Sequence, residues 1–102
     1  MDVKDSAGSD TFELRPVIGL TRGLSSTDIE TLTVNAIRLH RQLVEKADQL
    51  FQVLPDNVKT GTAVGGQQHL EYIEAMIEMH AQMGAVNTLV ALLGFIPKLS
   101  VN

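Results

Sequence analysis

The stretch MHAQMGAVNTLVALLGFIP, Met79 to Pro97, runs nineteen residues without an Asp, Glu, Lys or Arg. In a chain of 102 residues with formal net charge −4, such a stretch must be a membrane span, a pocket wall or a covered surface. A span needs about 20 predominantly apolar residues and positive flanks. Here His80, Gln82, Asn87, Thr88, two glycines and Pro97 interrupt the run, and only Lys98 supplies a flank. A membrane partner is therefore rejected.

The stretch is instead the second half of a helix. Gln67, Glu71, Glu74, Glu78 and Gln82 form a polar stripe at helical spacing, which fades after Glu78. Beyond it the pattern is apolar nearly all round, which requires burial on more than one side. Gly94 is a C-cap and Pro97 blocks continuation, so the helix is expected over 67–94.

Upstream, SSTDIE opens another helix. Ser25-x-x-Asp28 and Thr27-x-x-Glu30 both match the capping box, and their carboxylates suit the positive end of the helix dipole. No Gly or Pro follows until Pro55, so a helix is expected over 25–54. Ile29, Leu32, Ala36, Leu39, Leu43, Ala47, Leu50 and Leu54 make a heptad seam with one stutter. Val34, Ile37, Val44 and Phe51 widen that face beyond what a two-stranded coil needs.

Residues 55–66, PDNVKTGTAVGG, are full of breakers and form the connecting loop. Residues 1–11 read as a mobile tail and 95–102 as a C-terminal tail. Between tail and first helix, residues 12–24 mix Pro16, Gly19 and Gly23 with apolar side chains. They are expected to form an irregular strap, extended or partly turned, lying on a surface.

The fold class is thus all-α, a long antiparallel two-helix hairpin with arms of about 40 Å. Two helices cannot cover both wide faces, and a second copy would, giving a four-helix bundle by two-fold symmetry. Leu43, Leu50 and Leu54 of the first helix are candidates for that dimer interface. Met76, Met83, Val86, Leu89, Val90 and Leu93 are the candidates from the second.

Composition excludes several chemistries. Without Cys there is no disulfide, thiolate metal site or cysteine nucleophile. His40, His69 and His80 show neither the i, i+4 pair of a zinc helix nor the Glu-x-x-His of a di-iron bundle. A hydrogen-bonded buried histidine accounts better for His80, which lies among apolar residues. Met76, Met79 and Met83 read as adaptable core filling rather than a cofactor box. GTAVGG at 61–66 lacks the Gly-Lys-Ser/Thr end of a phosphate loop. No catalytic or metal residues and no cofactor are expected.

Arg38, His40, Arg41 and Lys46 are the one basic concentration, and a small nucleic-acid-binding helical dimer is the alternative reading. The net charge has the wrong sign for it, and a solvated face with local pairs such as Arg41–Glu45 explains it more simply. Glu71, Glu74 and Glu78 are either an ordinary solvated ridge or a dock for a basic protein.

Four blocks carry a resemblance: LRPVIGLTRGL (14–24), RQLVEKADQLF (41–51), YIEAMIEMHAQM (72–83) and NTLVALLGFIPK (87–98). Together they resemble the TraM family, quorum-sensing anti-activators of conjugative plasmids, from Glu13 to Asn102. The resemblance implies a cytoplasmic homodimer without catalysis. It also implies binding of TraR, a LuxR-type activator, at its DNA-binding domain, which blocks promoter binding and represses conjugal transfer. Leu54 matches a family position associated with the dimer interface. No direct DNA binding is expected. Glu71, Glu74 and Glu78 are candidate partner contacts, since such a domain presents basic surface. So are Leu14, Arg15, Ile18, Leu20 and Arg22 of the strap, which combine charge with apolar side chains outside the long helices.

Overall fold

The computed structural model describes residues 15–99; Leu14, Phe12, the tail at 1–11 and residues 100–102 lie outside them. Helix α1 covers residues 15–21, α2 Ser26–Gln52, α3 Asp56–Lys59 and α4 Gln67–Leu93. No strand occurs among the described residues.

The strap differs from expectation, because residues 15–21 are helical rather than extended. Pro16 is accommodated within the described helical stretch. Thr21 Oγ1 donates to Ile18 O at 3.0 Å, closing the last turn. Gly23, at φ +90°, then reverses the chain into α2.

Ser25 caps α2 as its sequence predicts, its Oγ accepting from the Asp28 N–H at 3.1 Å. At the other end Lys59 Nζ donates to Gln52 O at 2.8 Å, satisfying a carbonyl the helix leaves open. That contact folds α3 back under α2, so residues 55–66 hold a helical turn rather than an unstructured loop. His69 Nδ1 accepts from the Gly65 N–H at 2.7 Å and ties the loop's end to the first turn of α4. Gly94 ends α4 in the left-handed conformation at φ +94°, donating to Val90 O at 2.8 Å.

The two long helices pack antiparallel. Lys46 Nζ meets Glu78 Oε1 at 3.1 Å, and Gln82 Nε2 donates to Ala36 O at 3.1 Å. Higher positions on one helix therefore face lower ones on the other.

The seam on α2 is not the one that hydrophobicity suggests. Ile29, Thr33, Ala36, His40, Leu43, Ala47, Leu50 and Leu54 are buried or half-buried, in unbroken steps of four and three. Leu32 and Leu39, expected in the seam, are 40% and 43% exposed. Thr33 takes an inner position because its hydroxyl donates to Ile29 O at 2.7 Å, leaving no unsatisfied polar group. The small buried side chains of Ala36, Ala47 and, on α4, Ala75 allow close helix approach.

The matching row on α4 is Tyr72, Ala75, Met79, Gln82, Val86, Leu89 and Leu93, again in steps of three and four. Gln82, read from sequence as part of the solvated stripe, turns inward to its bond with Ala36. Val86 and Leu89 pack with Ala36 into the central cluster, covered by Val17 of α1 together with Ile37 and Val90. Towards the loop, the Phe51 and Tyr72 rings meet at 5.5 Å and Lys59 sits 5.7 Å over Phe51.

Candidate functional site

This core is thin for so apolar a chain. Among the described residues the buried apolar side chains are Ala36, Ala47, Leu54, Ala75, Val86 and Leu89, half of them alanine. Many larger apolar side chains remain open, so the candidate site is a surface rather than a cleft.

The expected dimer residues divide accordingly. Leu54, Val86 and Leu89 are already buried within the protomer, where they hold α2 against α4. Leu43, Leu50, Met76, Val90 and Leu93 are half-buried, and Met83 is exposed. The widest open apolar surface lies elsewhere on α4, at Leu70, Ile73 and Ile77, with Ile77 63% exposed. These three were missed by the sequence reading, although their own three-then-four spacing marks a second row. Beside it an open groove of about 320 Å³ runs between α2 and α4. Val44, Ala47, Asp48, Phe51, Tyr72, Met76 and Met79 line it.

The strap candidates divide too. Ile18 is half-buried and Thr21 buried, so one side of α1 faces the bundle. Arg15, Leu20 and Arg22 are exposed, Leu20 to 81%. An anchored turn that holds a leucine in water is poorly explained by packing on its own protomer.

The acidic ridge is shorter than its sequence suggests. Glu71, Glu74 and Glu78 are all exposed, but Lys46 engages Glu78 across the hairpin. Glu71 and Glu74 make no ion pair among the described residues, nor do Arg41 and Glu45 pair as expected. Helix α4 carries no Lys or Arg at all, so its ionic charges are all acidic, and they share its outer surface with the row at Leu70, Ile73 and Ile77.

The histidines do not converge. His40 lies in the α2 seam, His69 is held by Gly65, and His80 is exposed rather than buried. His80 falls between the steps of the inner row on α4, which explains its outward place. No group of three or more His, Asp or Glu suited to a metal ion occurs among the described residues. No helix among them is long and apolar enough to cross a membrane.

Comparison with known proteins gives this surface a context. The family model described as prokaryotic transcriptional repressor TraM matches residues 1–98. The chain belongs to the TraM family. The match extends to residue 1, twelve positions before the point where the sequence resemblance begins. A TraM transcriptional repressor from Rhizobium radiobacter is 64% identical over 102 residues, covering all of both chains. Another, from Agrobacterium fabrum (strain C58 / ATCC 33970), is 60% identical over the same full length. Among solved structures, the second quorum-sensing antiactivator TraM2 from A. tumefaciens strain A6 is 88% identical and superposes with a TM-score of 0.84. That match covers 86% of this chain and 99% of the other. The TraM family is thus one of transcriptional regulators, and the two-helix hairpin is its fold.

Proposed function

We propose that this chain is a cytoplasmic, non-catalytic antiactivator that acts as a homodimer. It binds a TraR-type, LuxR-family activator at its DNA-binding domain and keeps it from promoters, repressing conjugal transfer. The observation that carries the reading is the 88% identity to an antiactivator across a shared fold. The surface accords with it, since open apolar rows are suited to assembly.

Two surfaces are assigned to two tasks. The row Leu70, Ile73 and Ile77, with Met83 and the adjoining groove, receives the second copy, completing a four-helix bundle. Leu20 on α1 and Arg22 in the turn after it, with Glu71 and Glu74 on α4, contact the activator. The carboxylates draw its basic DNA-binding surface and the leucine supplies a desolvated anchor. Direct binding of nucleic acid is disfavoured by the net charge of −4 and by the engagement of Lys46 with Glu78.

The test is co-elution of the chain with a signal-loaded TraR-type activator on a sizing column, using full-length activator and its isolated DNA-binding domain. A shared peak with both supports the proposal. Binding to the full-length activator alone would place the contact elsewhere, and separate peaks with both would refute the partner.

A further inference from the structure

Three methionines, Met76, Met79 and Met83, follow one another at steps of three and four along α4. Their environments differ. Met76 and Met79 line the groove with Val44, Ala47 and Phe51, whereas Met83 is 40% exposed on the same helix. The chain has no cysteine, so thioethers are the only sulfur it offers to an oxidant. We propose that Met76 and Met83 are a peroxide-sensitive modification site whose oxidation to sulfoxide weakens self-association. The inference rests on the homodimer reading above.

The chemistry is a two-electron transfer. A lone pair on the thioether sulfur attacks one oxygen of a peroxide, the O–O bond breaks, and one oxygen stays on sulfur. Hydrogen peroxide leaves as water, so the sulfur is oxidised and the peroxide reduced. A methionine sulfoxide reductase with a thiol reductant reverses the step.

For Met76 the consequence follows from the groove's lining, and Met83 lies about two turns further along the same side of α4. A sulfoxide oxygen is a strong acceptor and must find a donor when another chain covers it. Val44, Ala47 and Phe51 offer none, and the Asp48 carboxylate is itself an acceptor. Only the Tyr72 hydroxyl can donate from the side chains lining the groove. An open groove solvates the sulfoxide, while a covered one leaves it unsatisfied, so oxidation favours the separated protomers. Met79 belongs to the inner row, and its modification would act on the protomer's own packing instead.

Sedimentation equilibrium of untreated protein comes first. A dimer is expected; a monomer at micromolar concentration would overturn the homodimer reading and this inference with it. The protein is then treated with hydrogen peroxide after dilution below its dissociation constant, where separated protomers expose both sulfurs, the oxidised positions are mapped by peptide mass spectrometry, and helicity is followed by circular dichroism. Oxidation at Met83 and Met76 with a roughly tenfold rise in the dimer dissociation constant is expected. A methionine sulfoxide reductase should restore the original value. In a Met76→Leu/Met83→Leu variant, whatever its own dissociation constant, peroxide should cause no further rise. Unchanged association after full oxidation at both positions would overturn the inference and leave the dimer standing. So would no oxidation at either position under conditions that oxidise free methionine, or a double variant that still responds.

Discussion

At the scale of single residues, polar side chains set the hairpin's register. Thr33 is wholly buried, yet its hydroxyl is satisfied by Ile29 O. Thr33→Val removes that bond without leaving a buried group unpaired, so urea denaturation should show a change within about 1 kcal/mol. Thr33→Leu must fit extra atoms between close helices and should cost about 1–3 kcal/mol in the same experiment. Equal effects would mean that the crossing is looser than described. Leu54, which the family resemblance associates with dimerisation, is 5% exposed within one protomer. Leu54→Ala is therefore expected to lower unfolding free energy by about 2–5 kcal/mol. A change in dimer dissociation alone, with no loss of protomer stability at a concentration where the protein is monomeric, would place Leu54 at the interface instead. These residues mark the limit of sequence reading. Hydrophobicity favours Leu32 and Leu39, and nothing in their types reveals that Thr33 and His40 lie inside. A satisfied hydroxyl counts as apolar only once its backbone partner is known.

At the scale of elements, both long helices were legible because their signals are chemical as well as periodic. Ser25 caps α2, Pro55 stops the chain beyond it, and Gly94 ends α4. The helix at 15–21 was not legible, since Pro16 and Gly19 read as breakers, yet both lie in helical backbone. The turn at α3 escaped for a different reason: Lys59 reaches seven residues back to Gln52, a contact no local pattern encodes. Helix α4 carries the open apolar row, so its outward side should control assembly. Ile73→Glu with Ile77→Glu should raise the dimer dissociation constant by roughly a hundredfold, because a carboxylate covered by another chain lacks a partner. Sedimentation equilibrium measures it; an unmoved constant would put the second copy on another face. Helix α1 should behave oppositely. Leu20→Ala with Arg22→Ala should leave helicity and self-association intact, since both side chains stand in water. Activator affinity, followed by titration calorimetry, should fall about tenfold, as for an interface anchor. Unchanged affinity would reduce α1 to a strap.

At the scale of the whole molecule, charge and apolar surface meet on α4. Glu71 is offset from the row at Leu70, Ile73 and Ile77, whereas Glu74 lies one turn from both Leu70 and Ile77, so the two proposed contacts adjoin. Reversing Glu71 to Lys should lower activator affinity and flatten its salt dependence while leaving the dimer unchanged. An identical salt dependence would make the ridge an ordinary solvated face. The acidic residues were evident from their spacing, but their division was not, because the pairing of Glu78 with Lys46 exists only across the folded hairpin. Likewise the uncharged run from Met79 to Pro97 suggested a covered surface, whereas the open row at Leu70, Ile73 and Ile77, which lies before that run, emerged only from the packed helices. The central claim is that this protein silences an activator by touching the activator rather than its DNA. The direct measurement is a gel-shift titration of a signal-loaded TraR-type activator on its promoter, with rising amounts of this chain and a control lane of chain and DNA alone. Loss of the activator–DNA band, with free DNA returning and the control lane unshifted, is the predicted result. An intact band at saturating chain, or a shift in the control lane, would contradict it.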